Sequence, residues 1–280
     1  MGIDDIIKNL NLKLPEKPNL NLSREAIIIL IPVIFILIAE LLILLQYDYI
    51  TIWMHVFTVV ALPLASIYFH EKNITMAFQS LMLLPLLRLV NISMPIFFET
   101  TLYTFVFIYG PLILPVFLVM RAQGLSFNFK IAEETKRKWP QYTVISLLVA
   151  LFIAQGEYAI IDVGYLIPDL SLMSLIQLSI VMIFFVGFIE ELIFRYILQT
   201  RLEFTFGIWP ALIISSILFG AMHSGYGTFL QVVMTSIAGL MIGYMYVRTR
   251  SLSLITVTHG ITNVFLFGII PHLGPGLGLF

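Results

Sequence analysis

Three short stretches of this chain set acid–base residues into an otherwise apolar background. FFVGFIEELIFRYILQ carries Glu190, Glu191 and Arg195; ILFGAMHSGYG carries Phe219 and His223; LITVTHGITNVF carries His259 and Asn263. On a helix, positions i and i+4 project from one face. Glu191 and Arg195 are therefore spaced to pair, in the favoured orientation with the acid N-terminal to the base. Neighbouring positions point about 100° apart, so Glu190 faces elsewhere and lacks that partner. A carboxylate without a cationic partner in a poorly hydrated site is a general-base candidate. Phe219 with His223, and His259 with Asn263, are two further one-face pairs. Taken singly, each group has a plain structural reading: an ion network, a histidine at a helix end, a polar helix–helix contact. Together they outline a hydrolase centre. Glu190 and one histidine hold a water, and the other histidine with Asn263 holds a carbonyl oxygen as an oxyanion hole.

The elements that must position these groups are membrane helices. Of 280 residues, 60% are hydrophobic and only 11% charged, against about 25% charged in soluble domains. Mean hydropathy is +1.00. Runs of about 20 apolar residues fall near 26–46, 49–69, 74–98, 100–120, 142–166, 172–199, 208–223, 226–247 and 252–270. The third is interrupted by Pro85, Arg88 and Pro95, and the fifth is clean only to about Ala154, ahead of Glu157 and Asp162. The expected fold is all-α, a polytopic transmembrane bundle of eight or nine helices. Open sheets cannot sit in lipid, and the runs are too long for barrel strands. No internal repeat of the transporter kind is present.

The expected organisation is a cytoplasmic N-terminal segment at 1–25, N-terminal membrane helices over 26–171, core helices carrying the site over 172–270, and a tail at 271–280. A basic loop, 121–141, interrupts the N-terminal half. With nine crossings, the lysines and arginines of 1–25 and 121–141, together with Lys72, Arg201, Arg248 and Arg250, share one side, and the opposite loops carry none. Positive charge marks the cytoplasmic side, so the N-terminus is expected there, in a cell-membrane protein. MGIDDIIKNL lacks the basic start and apolar core of a signal peptide. A net charge of −1 gives no field for nucleic acid, and the absence of cysteine excludes disulfides and thiol chemistry. Glu40 and Glu99 read as interhelical or interfacial; His55, His70, Glu157, Asp162 and His272 belong to no motif.

At the three stretches the chain resembles the CPBP family (CAAX proteases and bacteriocin-processing enzymes), whose pattern is EExxxR, FxxxH and HxxxN on separate membrane helices. Here these are Glu190-Glu191-x-x-x-Arg195, Phe219-x-x-x-His223 and His259-x-x-x-Asn263. The resemblance covers roughly 172–270 and is similar to the Ras-converting CAAX endopeptidases, glutamate-type intramembrane proteases. It implies that Glu190 and His223 activate water, that His259 and Asn263 stabilise the oxyanion, and that Glu191, Arg195 and Phe219 orient the site. It also implies a substrate, the C-terminal peptide of a prenylated CAAX-like protein, with membrane lipids as the other partner. No cofactor is expected. Glu190, His223 and His259 are also a His₂Glu set of the kind that binds zinc in some metalloproteases, although the HExxH signature is missing. The leading expectation is an endopeptidase opening to the cytoplasmic side. A zinc-dependent protease acting on another membrane or secreted peptide, a transporter using Glu190, Glu191 and Arg195 as a relay, and a non-catalytic membrane immunity protein or scaffold are the alternatives.

Overall fold

The computed structural model describes residues 23–97, 101–126, 136–275 and 277. Most of the N-terminal segment 1–25, the middle of the 121–141 loop, Glu99 and part of the 271–280 tail lie outside the described residues. Among the described residues there is no strand, and nine helices are long and apolar enough to cross a membrane. They are α1 (Arg24–Leu44), α2 (Asp48–Tyr68), α3 (Lys72–Met94), α4 (Leu102–Ala122), α5 (Trp139–Ile161), α6 (Leu172–Phe206), α7 (Ile208–Tyr226), α8 (Phe229–Thr249) and α9 (Leu252–Leu273). Of the expected eight or nine, the higher number holds, in an integral membrane protein.

Short connections force neighbours to run antiparallel, and local chemistry ends the helices where the sequence turns polar. Ser23, Ser171, Thr228 and Ser251 each accept a backbone N–H in the first turn of α1, α6, α8 and α9, satisfying donors that a helix start leaves orphaned. Gly207, at φ 78°, turns α6 into α7 in a single residue, a conformation that favours glycine. In α1 the sidedness is that of a lipid-facing helix. Ile27, Ile31, Ile34 and Ile38 are exposed, while Ile29, Val33, Ile36 and the charged Glu40 are buried against the bundle.

Three limits drawn from the sequence shift. The third span survives its prolines: it runs as Lys72–Leu81 and Leu83–Phe97, with the break at Met82, and Arg88 is paired rather than disruptive. The fifth continues past Ala154 to Ile161, because Glu157 is buried and accepts a bond from Gln231 of α8 at 3.2 Å. The sixth runs on to Phe206 instead of ending near 199. Glu190 is 16 residues from Phe206 and His223 is 15 from Ile208, so at 1.5 Å per residue both lie about 22–24 Å along their helices from the same face.

Cross-contacts fix which ends share a face. Arg24 pairs with Glu71 at 2.8 Å, Arg250 with Glu203 at 2.8 Å, and Arg201 donates to Gln123 at 2.7 Å. At the other end, Leu166 N–H donates to the Phe267 carbonyl at 2.9 Å, and the His272 ring stacks on Tyr165.

Candidate active site

The two glutamates sit in one α-helical turn, Phe188–Glu191, between two stretches of wider π-helix, Val181–Gly187 and Leu192–Gln199. Such local widening recurs at functional sites. Beside it, α6 and α9 touch backbone to backbone. A Cβ on Gly260 would lie 2.7 Å from the Ile183 Cα, and one on Gly187 would lie 3.1 Å from the Thr256 carbonyl oxygen. Two glycines thus let His259 approach the glutamates.

The expected Glu191–Arg195 pair is present at 2.9 Å, fully buried. Its carboxylate does more than the spacing indicated: the same Oε1 lies 2.7 Å from Nδ1 of His259. Glu191 thus ties an arginine on its own helix to a histidine on α9. The Arg195 guanidinium lies over the Phe219 ring at 4.2 Å. That ring also meets Phe194 edge-on at 5.0 Å and lies 4.9 Å from the His223 ring and 5.8 Å from the His259 ring. Phe219 is the apolar hub on which the cation and both imidazoles rest.

Glu190 faces away from Arg195, as its position predicts. One carboxylate oxygen accepts the hydroxyl of Tyr109 from α4. The other has no hydrogen-bond partner among the described residues and lies 3.7 Å from Nε2 of His259. His223 turns Nδ1 to the Phe219 carbonyl at 2.9 Å. Because a carbonyl only accepts, Nδ1 carries the proton and Nε2 is left as an acceptor. Glu190, Tyr109 and His223 line one cleft of about 340 Å³. Asn263 is buried one turn beyond His259, away from the lining of that cleft, and makes no side-chain hydrogen bond among the described residues.

A second buried network holds the turn that carries His223. Arg88 of α3 makes a two-pronged pair with Glu40 of α1, donates to the Met222 carbonyl at 2.6 Å, and reaches the Ser224 hydroxyl at 3.2 Å. Ser224 in turn donates to Glu40 at 2.8 Å, and Nε2 of His55 lies 3.2 Å from the same carboxylate. The residues on both sides of His223 are therefore clamped by the N-terminal helices. Tyr109, Arg88, Glu40 and Ser224 belong to no short-range pattern, and sequence reasoning gave them no place at the site. A charged residue inside a membrane span was the one available signal.

Among the described residues no three His, Asp or Glu side chains are grouped so as to hold an ion.

The fold and site define a helical membrane protein with a carboxylate–histidine centre built on its last four spans. Residues 172–265, which take in α6, α7, α8 and most of α9, match the family described as Type II CAAX prenyl endopeptidase Rce1-like. The match takes in about a third of the chain and makes that segment similar to proteases of the CAAX (CPBP) kind. No curated protein and no solved structure matches the chain.

Proposed function

We propose that the protein is a glutamate-type intramembrane endopeptidase. The observation that carries this reading is the divided state of Glu190: one oxygen is fixed by Tyr109, while the other is buried, without a hydrogen-bond partner among the described residues, and turned toward His259 beside the cleft. The free oxygen takes a proton from a water that also donates to Nε2 of His223. The hydroxide so formed attacks the peptide carbonyl. His259, its Nδ1–H given to Glu191, presents Nε2–H to the developing oxyanion when the ring is doubly protonated, with the two carboxylates flanking it. Asn263 is the second oxyanion donor, which requires its side chain to swing toward the cleft when substrate is bound. Glu190 then returns the proton to the leaving amine. Each carbonyl attack consumes one water and leaves one carboxylate and one amine. Glu191, Arg195 and Phe219 position His259 and touch no reacting atom.

The family description points to C-terminal CAAX-like peptides as the first substrates to try. Detergent-purified protein is given a farnesylated CAAX peptide and its unprenylated twin, with wild type beside Glu190→Ala, with and without a strong chelator. Cleavage by wild type alone, indifferent to the chelator, is the expected outcome. Loss with chelator and recovery with zinc would replace the mechanism by a zinc-dependent one. Cleavage of neither peptide by folded protein would remove the CAAX substrate.

A further inference from the structure

The cleft has a sidedness that the motif does not carry. Its deep end is Glu190 and Tyr109, both about 5% exposed. Its shallow end is formed by Asn91, three residues before the end of α3, and by the exposed Gly225 and Tyr226, which close α7. Thr104, near the start of α4, lines the same end. The end of α3, the start of α4 and the end of α7 all lie on one face of the bundle.

That face is the one opposite the positive charge. Among the described residues, every lysine and arginine except the buried Arg88 and Arg195 falls at the other ends of the helices or in the connections there. The described connections on the cleft's face, among them 45–47, 162–171 and 227–228, contain none, and Asp162 and Asp169 stand there instead. Short loops rich in lysine and arginine stay in the cytoplasm. The contacts of Arg24 with Glu71 and of Arg250 with Glu203 bring these basic ends together, independently of the count of crossings.

We propose that the cleft opens to the extracytoplasmic side, and that the peptide it takes is an exported polypeptide or the outward-facing segment of a membrane protein. This departs from the cytoplasmic opening expected from the sequence, and a cytoplasmic prenylated tail would not reach the cleft from its own side. The substrate class rests on the endopeptidase reading; the side of entry does not.

The absence of cysteine from the chain makes the test direct. Single cysteines are placed at Asn91 and Tyr226 in the mouth of the cleft, at Tyr47 in the turn after α1, and at the exposed Lys72 on the basic face. Intact cells are treated with a membrane-impermeant maleimide, then permeabilised and treated again. Asn91→Cys and Tyr226→Cys should label in intact cells alongside Tyr47→Cys, and Lys72→Cys only after permeabilisation. Labelling of the two mouth cysteines only after permeabilisation, or of neither at any stage while Tyr47→Cys and Lys72→Cys do label, overturns the proposal. The readout needs no catalysis. Its failure is thus separate from a failure of Glu190-dependent cleavage, which would leave the side of entry standing and remove the hydrolase.

Discussion

Glu190 owes its one free oxygen to Tyr109, a residue from outside the matched segment. Tyr109→Phe removes that donor and leaves the ring in place. A hydrogen bond to a charged group contributes about 1.5–3 kcal/mol, and we expect kcat to fall about tenfold or more on a cleaved peptide, with KM little changed. An unchanged kcat would put Tyr109 outside the mechanism. Glu191 holds Arg195 and His259 through a single oxygen. Glu191→Ala removes both the charge and the acceptor from a buried guanidinium, a loss of about 3–5 kcal/mol, whereas Glu191→Gln removes the charge but keeps an acceptor. Thermal unfolding in detergent should show a large drop for the alanine variant and a small one for the glutamine variant. Equal drops would mean that the charge, not the acceptor geometry, holds the cluster.

Helices set the distances that these residues need, and beside the glutamates the close approach is between α6 and α9. Gly260→Ala drives a Cβ to 2.7 Å from the Ile183 Cα, so backbone must part beside the glutamates; Gly268→Ala meets only the tip of the Leu178 side chain. We expect Gly260→Ala to cost well over tenfold in cleavage rate, since a displacement of about 1 Å in a site can cost about a hundredfold. Gly268→Ala should stay near wild type, and comparable losses in both would remove the special place of the α6–α9 contact. At the start of α6, hydrogen bonds from Ser171 and Ser174 hold the Asp169 carboxyl down to about 2. A depressed value means stabilisation that is complete above the unfolded value of about 3.9 and is lost as pH falls from there through about 2. Wild type and Asp169→Asn should therefore differ in melting temperature by a constant amount from pH 5 upward and converge below pH 4. A gap at pH 2 as large as the one at pH 6 would contradict it.

The same scale explains what the sequence could and could not reveal. Glu191 with Arg195, Phe219 with His223, and His259 with Asn263 are local pairs at helical spacing, legible without any knowledge of packing. The clamp of Arg88, Glu40 and Ser224, and the bond from Tyr109 to Glu190, join residues 48 to 184 positions apart. No periodicity encodes such partners. Arg88 and Pro85 read along the chain as damage to a span, whereas in three dimensions Arg88 is the residue that braces the turn holding His223.

Among the described residues, nine helices are long and apolar enough to cross a membrane, and the cleft lies between the N-terminal and C-terminal ones. The matched segment supplies the acid–base groups, and α1, α3 and α4 supply the clamp, the cleft wall and the tyrosine. A separated 172–265 segment would therefore keep the motif and lose the site. Arg88→Met in the full chain should lower cleavage and stability together, because it leaves the Glu40 carboxylate buried without its cation; detergent unfolding and peptide cleavage on the same preparation check both. The central claim is that Glu190 activates the water that cuts the peptide. Its most direct measurement is cleavage of whichever peptide the wild type accepts, in isotopically labelled water, by wild type and Glu190→Ala at matched folded concentrations. The account predicts label in the new carboxyl terminus for the wild type, and a rate for Glu190→Ala lower by about a hundredfold to ten-thousandfold, the worth of a positioned general base. Cleavage by Glu190→Ala at the wild-type rate would contradict it.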